Sequence, residues 1–118
     1  MTGRTGYHAG LAAEEIVARD YQRRAHSVAA QRWRGKSGEI DLIMRDGATV
    51  VFVEVKKSRS FARAATRLSR TQMDRICGSA SEFLAGEPNG QLTDVRFDLA
   101  MVDGVGAVKV IENAFMES

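Results

Sequence analysis

The chain has 118 residues, of which 44% are hydrophobic and 27% charged, and its net charge is +2 at pH 7. This length fits one compact domain, and the single cysteine, Cys77, excludes an internal disulfide and a thiolate-rich metal site. No apolar run approaches the roughly 18 residues of a membrane span, and no signal-peptide pattern opens the chain. We therefore expect a cytoplasmic protein that does not enter the membrane.

The charges are unevenly distributed along the chain. Residues 1–80 hold 15 Lys and Arg against 8 Asp and Glu, whereas residues 81–118 hold 2 against 7. Basic residues are densest between Lys56 and Arg75. Such clustering suits a polyanion bound to one side of the molecule, although a solvated charged face explains it equally well.

The first predicted elements are a helix and a weak strand. Residues 1–9 are polar and contain glycine, and we expect a flexible N-terminus there. From Gly10 to about Arg24, apolar residues recur with helical spacing, which predicts the first helix of a single domain over residues 10–118. Residues 28–33 are weakly typical of a strand, and residues 34–38 form a basic turn.

Two strong strands, a helix and a second pair of strands follow. Residues 39–45 and 49–56 are apolar enough to be buried strands, and Asp46-Gly47 favours a two-residue hairpin turn between them.

A capping box, Ser69 with Gln72, predicts the start of a second helix that ends at Gly86. Alternating apolar residues predict strands over residues 94–103 and 107–111. The order α-β-β-β-α-β-β predicts an α/β fold with a mixed sheet packed by two helices.

Carboxylates occur inside the two strong strands, where a buried charge needs a partner. Glu54 and Lys56 share one face of their strand because side chains alternate. An Asp46-Gly47 turn places Glu39 opposite Glu54 and Asp41 diagonal to it on the same face. One divalent ion can bridge carboxylates at that separation, and oxygen ligands suit Mg²⁺ or Mn²⁺.

Two further observations bear on such a site. Lys56 would lie beside an attacking water, which it could orient or deprotonate. Glu14 lies on the apolar face of the first helix, where a carboxylate needs a cation or a neighbouring arginine. An ordinary amphipathic hairpin with its polar side chains in solvent explains the strand pattern too, so the hairpin alone does not decide.

Several segments carry a resemblance to a known family. They are residues 10–14 (Gly-Leu-Ala-Ala-Glu), 38–43 (Gly-Glu-Ile-Asp-Leu-Ile), 52–56 (Phe-Val-Glu-Val-Lys), 75–76 and 96–98 (Arg-Phe-Asp). Over roughly residues 10–102 the chain resembles the YraN-like family (UPF0102), which is similar to Holliday-junction resolvases and is grouped with the restriction-endonuclease-like nucleases. The resemblance implies a restriction-endonuclease-like mixed sheet flanked by helices, and a Mg²⁺- or Mn²⁺-dependent endonuclease that hydrolyses phosphodiester bonds in DNA.

Residue by residue, the resemblance implies roles for the charged positions. Asp41 and Glu54 would be metal ligands, Lys56 the catalytic lysine, and Glu14 the helix carboxylate that assists at the metal. Glu39 is expected next to these residues or against the substrate. Gln72 is expected there too, at a position where the family usually has lysine.

Seven basic residues are candidates for contacts with nucleic-acid phosphates, which Lys and Arg supply most often. They are Arg34, Lys36, Lys57, Arg59, Arg63, Arg67 and Arg70. A small domain with few long loops suits branched or otherwise structured DNA, such as a junction or flap. The two-fold symmetry of a junction would favour a homodimer. Two alternatives stay open: a catalytically silent nucleic-acid-binding module of the same fold, and a factor that processes RNA.

Four single residues are expected to have structural or unspecialised places. Cys77 is expected in the core on the buried face of the second helix, and His26 at the surface. We expect Asp98 to be structural and Trp33 to pack within the fold instead of stacking on a base.

Overall fold

The computed structural model describes residues 2–62 and 68–116. The elements in chain order are helix α1 (Thr2–Arg23), strands β1 (Ser27–Gly35), β2 (Gly38–Asp46) and β3 (Thr49–Lys57), helix α2 (Arg70–Leu84), and strands β4 (Val95–Val102) and β5 (Val108–Ile111). The predicted order α-β-β-β-α-β-β is confirmed. Helix α1 begins at Thr2, eight residues before the start that the apolar spacing predicted.

The five strands form one mixed sheet in the order β1-β2-β3-β4-β5. Neighbouring strands are antiparallel except for β3 and β4, which are parallel. Parallel neighbours need a crossover connection, and α2 lies in the connection between these two strands. The expected α/β fold with a mixed sheet flanked by helices is therefore confirmed.

Each helix covers one face of the sheet. On one face α1 packs Val17 and Tyr21 into a buried cluster with Leu42. On the other face α2 packs Ile76 into a second cluster with Phe52. Because both faces are covered, β2 and β3 are nearly continuous apolar runs without a solvent-facing side. Among the described residues, no helix is long and apolar enough to cross a membrane.

The β2–β3 hairpin differs from the prediction in its register. Asp46 pairs with Thr49, so the two-residue loop is Gly47-Ala48 and the predicted Asp46-Gly47 loop is wrong. Gly47 has a φ of 60°, a left-handed value that suits glycine at the first loop position. The register moves by two residues, an even number, so the paired part of the hairpin keeps its predicted alternation up to the last pair, Leu42 and Val53.

The β1–β2 hairpin is docked closely onto α2. Gly35 pairs with Gly38 across the two-residue loop, and Ser79 Oγ donates a hydrogen bond to the Gly38 carbonyl at 2.7 Å. A Cβ on Gly35 would lie 2.8 Å from Ser79 Oγ, so only glycine permits this approach. The contact fixes the start of β2, three residues before Asp41.

Cys77 and His26 do not lie where the sequence predicted. Cys77 is exposed, because the buried stripe of α2 runs through Ile76 and Ala80 beside it. His26 is buried against the Tyr21 ring, with 5.2 Å between ring centroids. Ala25 has a φ of 67°, and this left-handed residue turns the chain back so that His26 covers the end of α1.

Asp98 is fully buried and bound by side chains and backbone from separate parts of the chain. The Tyr21 hydroxyl donates to Asp98 Oδ2 at 2.6 Å, and Arg96 Nε donates to Oδ1 at 2.9 Å. The backbone N–H of Asn113 donates to Oδ1 at 3.2 Å. Burial and the hydrogen bond to Asp98 raise the pKa of Tyr21, which stays neutral. Asp98 therefore has the structural place that was expected.

Candidate functional site

The β2–β3 ladder stops beside Asp41. Leu42 and Val53 form the last pair of this ladder. Beyond it, the backbone N–H of Val55 donates to Asp41 Oδ2 at 2.8 Å, so a side chain binds β3 at this point. Continuing the register by one pair places Asp41 opposite Glu54. The Asp41 carboxylate thus lies in the gap where β2 leaves β3.

Glu54 is a buried carboxyl in contact with Asp41. Glu54 is 7% exposed, and its carboxyl is hydrogen-bonded to the Asp41 carboxylate. Burial and Asp41 raise the pKa of Glu54 to about 9, while Lys56 and Gln72 oppose the rise. At neutral pH the pair therefore holds a proton in the absence of metal, and Glu54 donates it to Asp41 in a hydrogen bond.

Gln72 holds the other side of the Glu54 carboxyl. Ser69 is the N-cap of α2, and its Oγ accepts a hydrogen bond from the Gln72 backbone at 3.1 Å, which confirms the predicted helix start. The Gln72 side chain reaches from α2 to β3, and its Nε2 donates to Glu54 Oε2 at 2.9 Å. Only the Ser69 half of the predicted capping box is used in this way, and the Gln72 amide orients Glu54 instead.

Glu14 approaches Asp41 from α1, which covers the face of the sheet opposite to α2. Glu14 is half-buried, and burial and the charge of Asp41 raise its pKa, with a smaller contribution from Glu39. The described residues contain no group of three or more His, Cys, Asp and Glu side chains placed to hold one metal ion. The structure therefore brings Glu14 near Asp41 but does not assemble Glu14, Asp41 and Glu54 as three ligands of one ion.

Lys56 lies two residues after Glu54 on β3. The pairing of β3 with β4 continues through Lys56 and Lys57, so strand geometry holds at Lys56 and places it on the same face as Glu54. Its positive charge acts to lower the pKa of Glu54. The predicted lysine and glutamate therefore lie within electrostatic reach of each other.

The predicted phosphate-contacting residues lie in three parts of the chain. The five that the structure describes are all exposed: Arg34, Lys36, Lys57, Arg59 and Arg70. Arg34 and Lys36 lie in the β1–β2 hairpin, Lys57 ends β3 with Arg59 shortly after it, and Arg70 opens α2. Arg63 and Arg67 lie outside the described residues. Trp33 packs edge-on against Phe83 with 5.5 Å between ring centroids, as its packing interpretation expects.

Arg32 lies near this site, although the sequence analysis did not include it among the site residues. It lies between the pairs Gln31–Leu42 and Trp33–Ile40, and so opposite Asp41. Its Nε donates to Glu39 Oε1 at 3.2 Å. The sequence contained the information needed to find it. If the loop is the two residues between Gly35 and Gly38, pairing the residues outward from the loop places Arg32 opposite Asp41.

Comparison with known proteins gives the family. The model of the uncharacterised protein family UPF0102 matches residues 13–102, a range that contains Glu14, Asp41, Glu54 and Lys56. A UPF0102 protein of Cereibacter sphaeroides strain KD131 is 68% identical over 115 residues, which cover 98% of each chain. A UPF0102 protein of Roseobacter denitrificans is 57% identical over 115 residues, which cover 98% of this chain and 89% of the relative. The resemblance found in the sequence is thus confirmed at this level, and the chain belongs to the uncharacterised protein family UPF0102.

Proposed function

We propose that this protein is a Mg²⁺- or Mn²⁺-dependent endonuclease that hydrolyses phosphodiester bonds in branched or otherwise structured DNA. The observation that carries the proposal is the buried Glu54 carboxyl held against Asp41, with its pKa raised. A buried carboxyl in contact with a second carboxyl is destabilising unless a proton or a cation neutralises the pair. A divalent cation is a partner that would neutralise this pair.

The donor set fits such an ion. Mg²⁺ is commonly bound through one or two carboxylates, with waters and substrate phosphates as its other ligands. Asp41 and Glu54 would supply the two carboxylates, and all their donor atoms are oxygens. When bound, the ion polarises a phosphate oxygen and lowers the pKa of a neighbouring water.

The surrounding side chains have places suited to this reaction. Lys56 lies on the face of Glu54, where it can orient or deprotonate the attacking water or neutralise charge that develops on the phosphate. Gln72 holds Glu54 in position through its 2.9 Å hydrogen bond. Glu14, on α1, can accept a hydrogen bond from water at the site. The exposed basic residues around it would hold the DNA backbone.

The order of these residues also supports the proposal. An aspartate on one strand is followed by Glu-x-Lys on the next, with a glutamate on the preceding helix. This arrangement resembles that of the restriction-endonuclease-like nucleases, and by analogy it supports the nuclease interpretation.

The test is cleavage of labelled single-stranded, duplex, flap and four-way-junction DNA in Mn²⁺, Mg²⁺ or EDTA. We expect cutting that requires metal, is lost in Asp41→Ala and Lys56→Ala, and is retained in Glu15→Gln. Glu15 is the exposed neighbour of Glu14, so this control removes one carboxylate without touching the site. Absence of cutting with both metals, or full cutting by Asp41→Ala, would contradict the proposal.

A second candidate function is a silent nucleic-acid-binding module, which the five exposed basic residues favour. It predicts binding without cleavage and a steep loss of affinity with salt, because phosphate contacts release counterions. Competition between a DNA junction and a structured RNA then separates a DNA-binding module from a factor directed to RNA.

A further inference from the structure

Arg32 lies in one row of the sheet with the two carboxylates of the site. The β1–β2 register places Arg32 opposite Asp41. The β2–β3 register, continued one pair past Leu42 and Val53, places Asp41 opposite Glu54. Neighbouring strands lie about 4.8 Å apart, so three adjacent strands bring a guanidinium and two carboxylates to one line across the sheet.

The guanidinium of Arg32 lies among the acidic side chains of this region. Its Nε is 3.2 Å from Glu39 Oε1. Its charge also opposes the rise in the pKa of Glu14, so it is within electrostatic reach of the α1 carboxylate. The Arg32 side chain is nevertheless 43% exposed, and a substrate can reach it from solvent.

The backbone of Arg32 is held in an unusual conformation. Its φ is 50°, in the left-handed region that residues other than glycine seldom adopt. The flanking residues Gln31 and Trp33 are both paired with β2, so the ladder on either side keeps this conformation in place. Such backbone conformations persist where neighbouring structure enforces them, and they occur often at functional sites.

We propose that Arg32 is the residue that binds the substrate phosphate at this site, and that its ion pair with Glu39 holds the guanidinium there before substrate arrives. A divalent ion at Asp41 and Glu54 would offset the negative field that keeps Arg32 on Glu39. The planar guanidinium can then donate two parallel hydrogen bonds to phosphate oxygens, which an ammonium group cannot do. The inference rests on the proposed nuclease function and adds the phosphate ligand that function requires.

Three variants separate this role from a structural one. Arg32→Asn removes the charge, and asparagine tolerates a left-handed φ, so we expect the fold to be retained. Arg32→Lys keeps the charge but loses the planar fork. Arg23→Gln is the matched control: it removes one exposed positive charge nine residues after Glu14, about 13 Å further along α1.

Two quantities are measured for each variant: the single-turnover cleavage rate at saturating Mn²⁺ with the DNA that the wild type cuts best, and the Mn²⁺ affinity without DNA. We expect Arg32→Asn to cleave at least about tenfold more slowly, the loss typical of a charge-assisted hydrogen bond. We also expect it to bind Mn²⁺ more tightly, because a positive charge has left the carboxylates. Arg32→Lys should bind Mn²⁺ as the wild type does and still cleave slowly. Arg23→Gln should change neither quantity.

The outcomes distinguish this inference from the function on which it rests. If the wild type cleaves and Arg32→Asn cleaves equally well, Arg32 does not bind the phosphate and the nuclease function stands. If the wild type cuts none of the DNA structures with either Mn²⁺ or Mg²⁺, the proposed function fails and the role of Arg32 fails with it. If Arg32→Asn does not fold, Arg32→Lys decides, and wild-type cleavage by that variant would overturn the inference.

Discussion

Replacing Glu54 by glutamine is expected to stabilise the metal-free protein at neutral and alkaline pH. Glu54 is 7% exposed and contacts Asp41, so its ionised form is unfavourable in the fold. In its protonated form Glu54 donates to Asp41 and accepts from Gln72 Nε2. A glutamine side chain has the same shape and can make both hydrogen bonds at any pH.

Folding raises the proton affinity of Glu54. Its pKa is about 9 in the folded protein, against 4.5 for an ordinary glutamate. A carboxyl with a raised pKa contributes its full stabilisation below pH 4.5 and loses it as the pH rises toward 9. One pKa unit corresponds to about 1.4 kcal/mol, so the loss reaches at most about 5 kcal/mol at pH 8.

The assay is urea unfolding in EDTA at pH 5, 7 and 8.5 for the wild type, Glu54→Gln and the exposed control Glu15→Gln. Near pH 5 we expect similar free energies of unfolding, and at higher pH a growing advantage for Glu54→Gln. Glu15→Gln should show no such trend. Added Mn²⁺ should stabilise the wild type more than Glu54→Gln, because a ligand that binds only the folded state stabilises it. A difference between wild type and Glu54→Gln that does not change with pH would refute the reasoning.

Three further perturbations test the fold and the surface. Tyr21→Phe removes the hydroxyl that donates to buried Asp98 at 2.6 Å, and it should lower the free energy of unfolding by about 2 kcal/mol. A loss under about 0.5 kcal/mol would contradict the importance of this hydrogen bond. Gly47→Ala should lower the free energy of unfolding by about 1 kcal/mol, because the φ of 60° disfavours alanine although the space around it is open. The control Gly104→Ala has open space and no positive φ, and in the same urea assay it should change that free energy by less than about 0.5 kcal/mol. Arg59→Gln should reduce the slope of log affinity for DNA against log salt by about 1, and an unchanged slope would place Arg59 outside the DNA contact.

The order of elements could be predicted because each element carries its own local signal. Ser69 and Gln72 gave the start of α2, and the structure has Ser69 as its N-cap. The contact between Asp41 and Glu54 was also within reach of the sequence. It required only that the two residues lie near each other on neighbouring strands, and a register change of two residues leaves that expectation in place.

The hairpin register could not be obtained in the same way. Moving the loop from Asp46-Gly47 to Gly47-Ala48 shifts the pairing by two and leaves every side chain on its face. The apolar pattern is therefore identical for both registers, and cross-strand packing chooses between them. The burial of His26 could not be predicted either. It depends on a left-handed turn at Ala25, where the sequence has neither the glycine nor the asparagine that usually indicates such a turn.

The position of Asp41 explains how two helices on opposite faces of the sheet reach one site. Its carboxylate lies in the gap between β2 and β3, where it accepts the Val55 N–H, and so it is accessible from both layers. Glu14 approaches from α1, and Gln72 reaches Glu54 from α2. None of these contacts is local in sequence, which is why spacing along the chain suggested the carboxylate pair but not its surroundings.

The chemistry of Glu54 also bears on the choice between a nuclease and a silent binding module. A module that only holds nucleic acid through surface arginines has no use for a buried carboxyl beside Asp41. Glutamine at position 54 would keep the hydrogen bonds to Asp41 and Gln72 and would spare the fold the ionisation penalty above neutral pH. The chain nevertheless has the carboxylate there. The negative charge that makes ionised Glu54 unfavourable in the metal-free fold is the charge that would attract and bind a divalent cation.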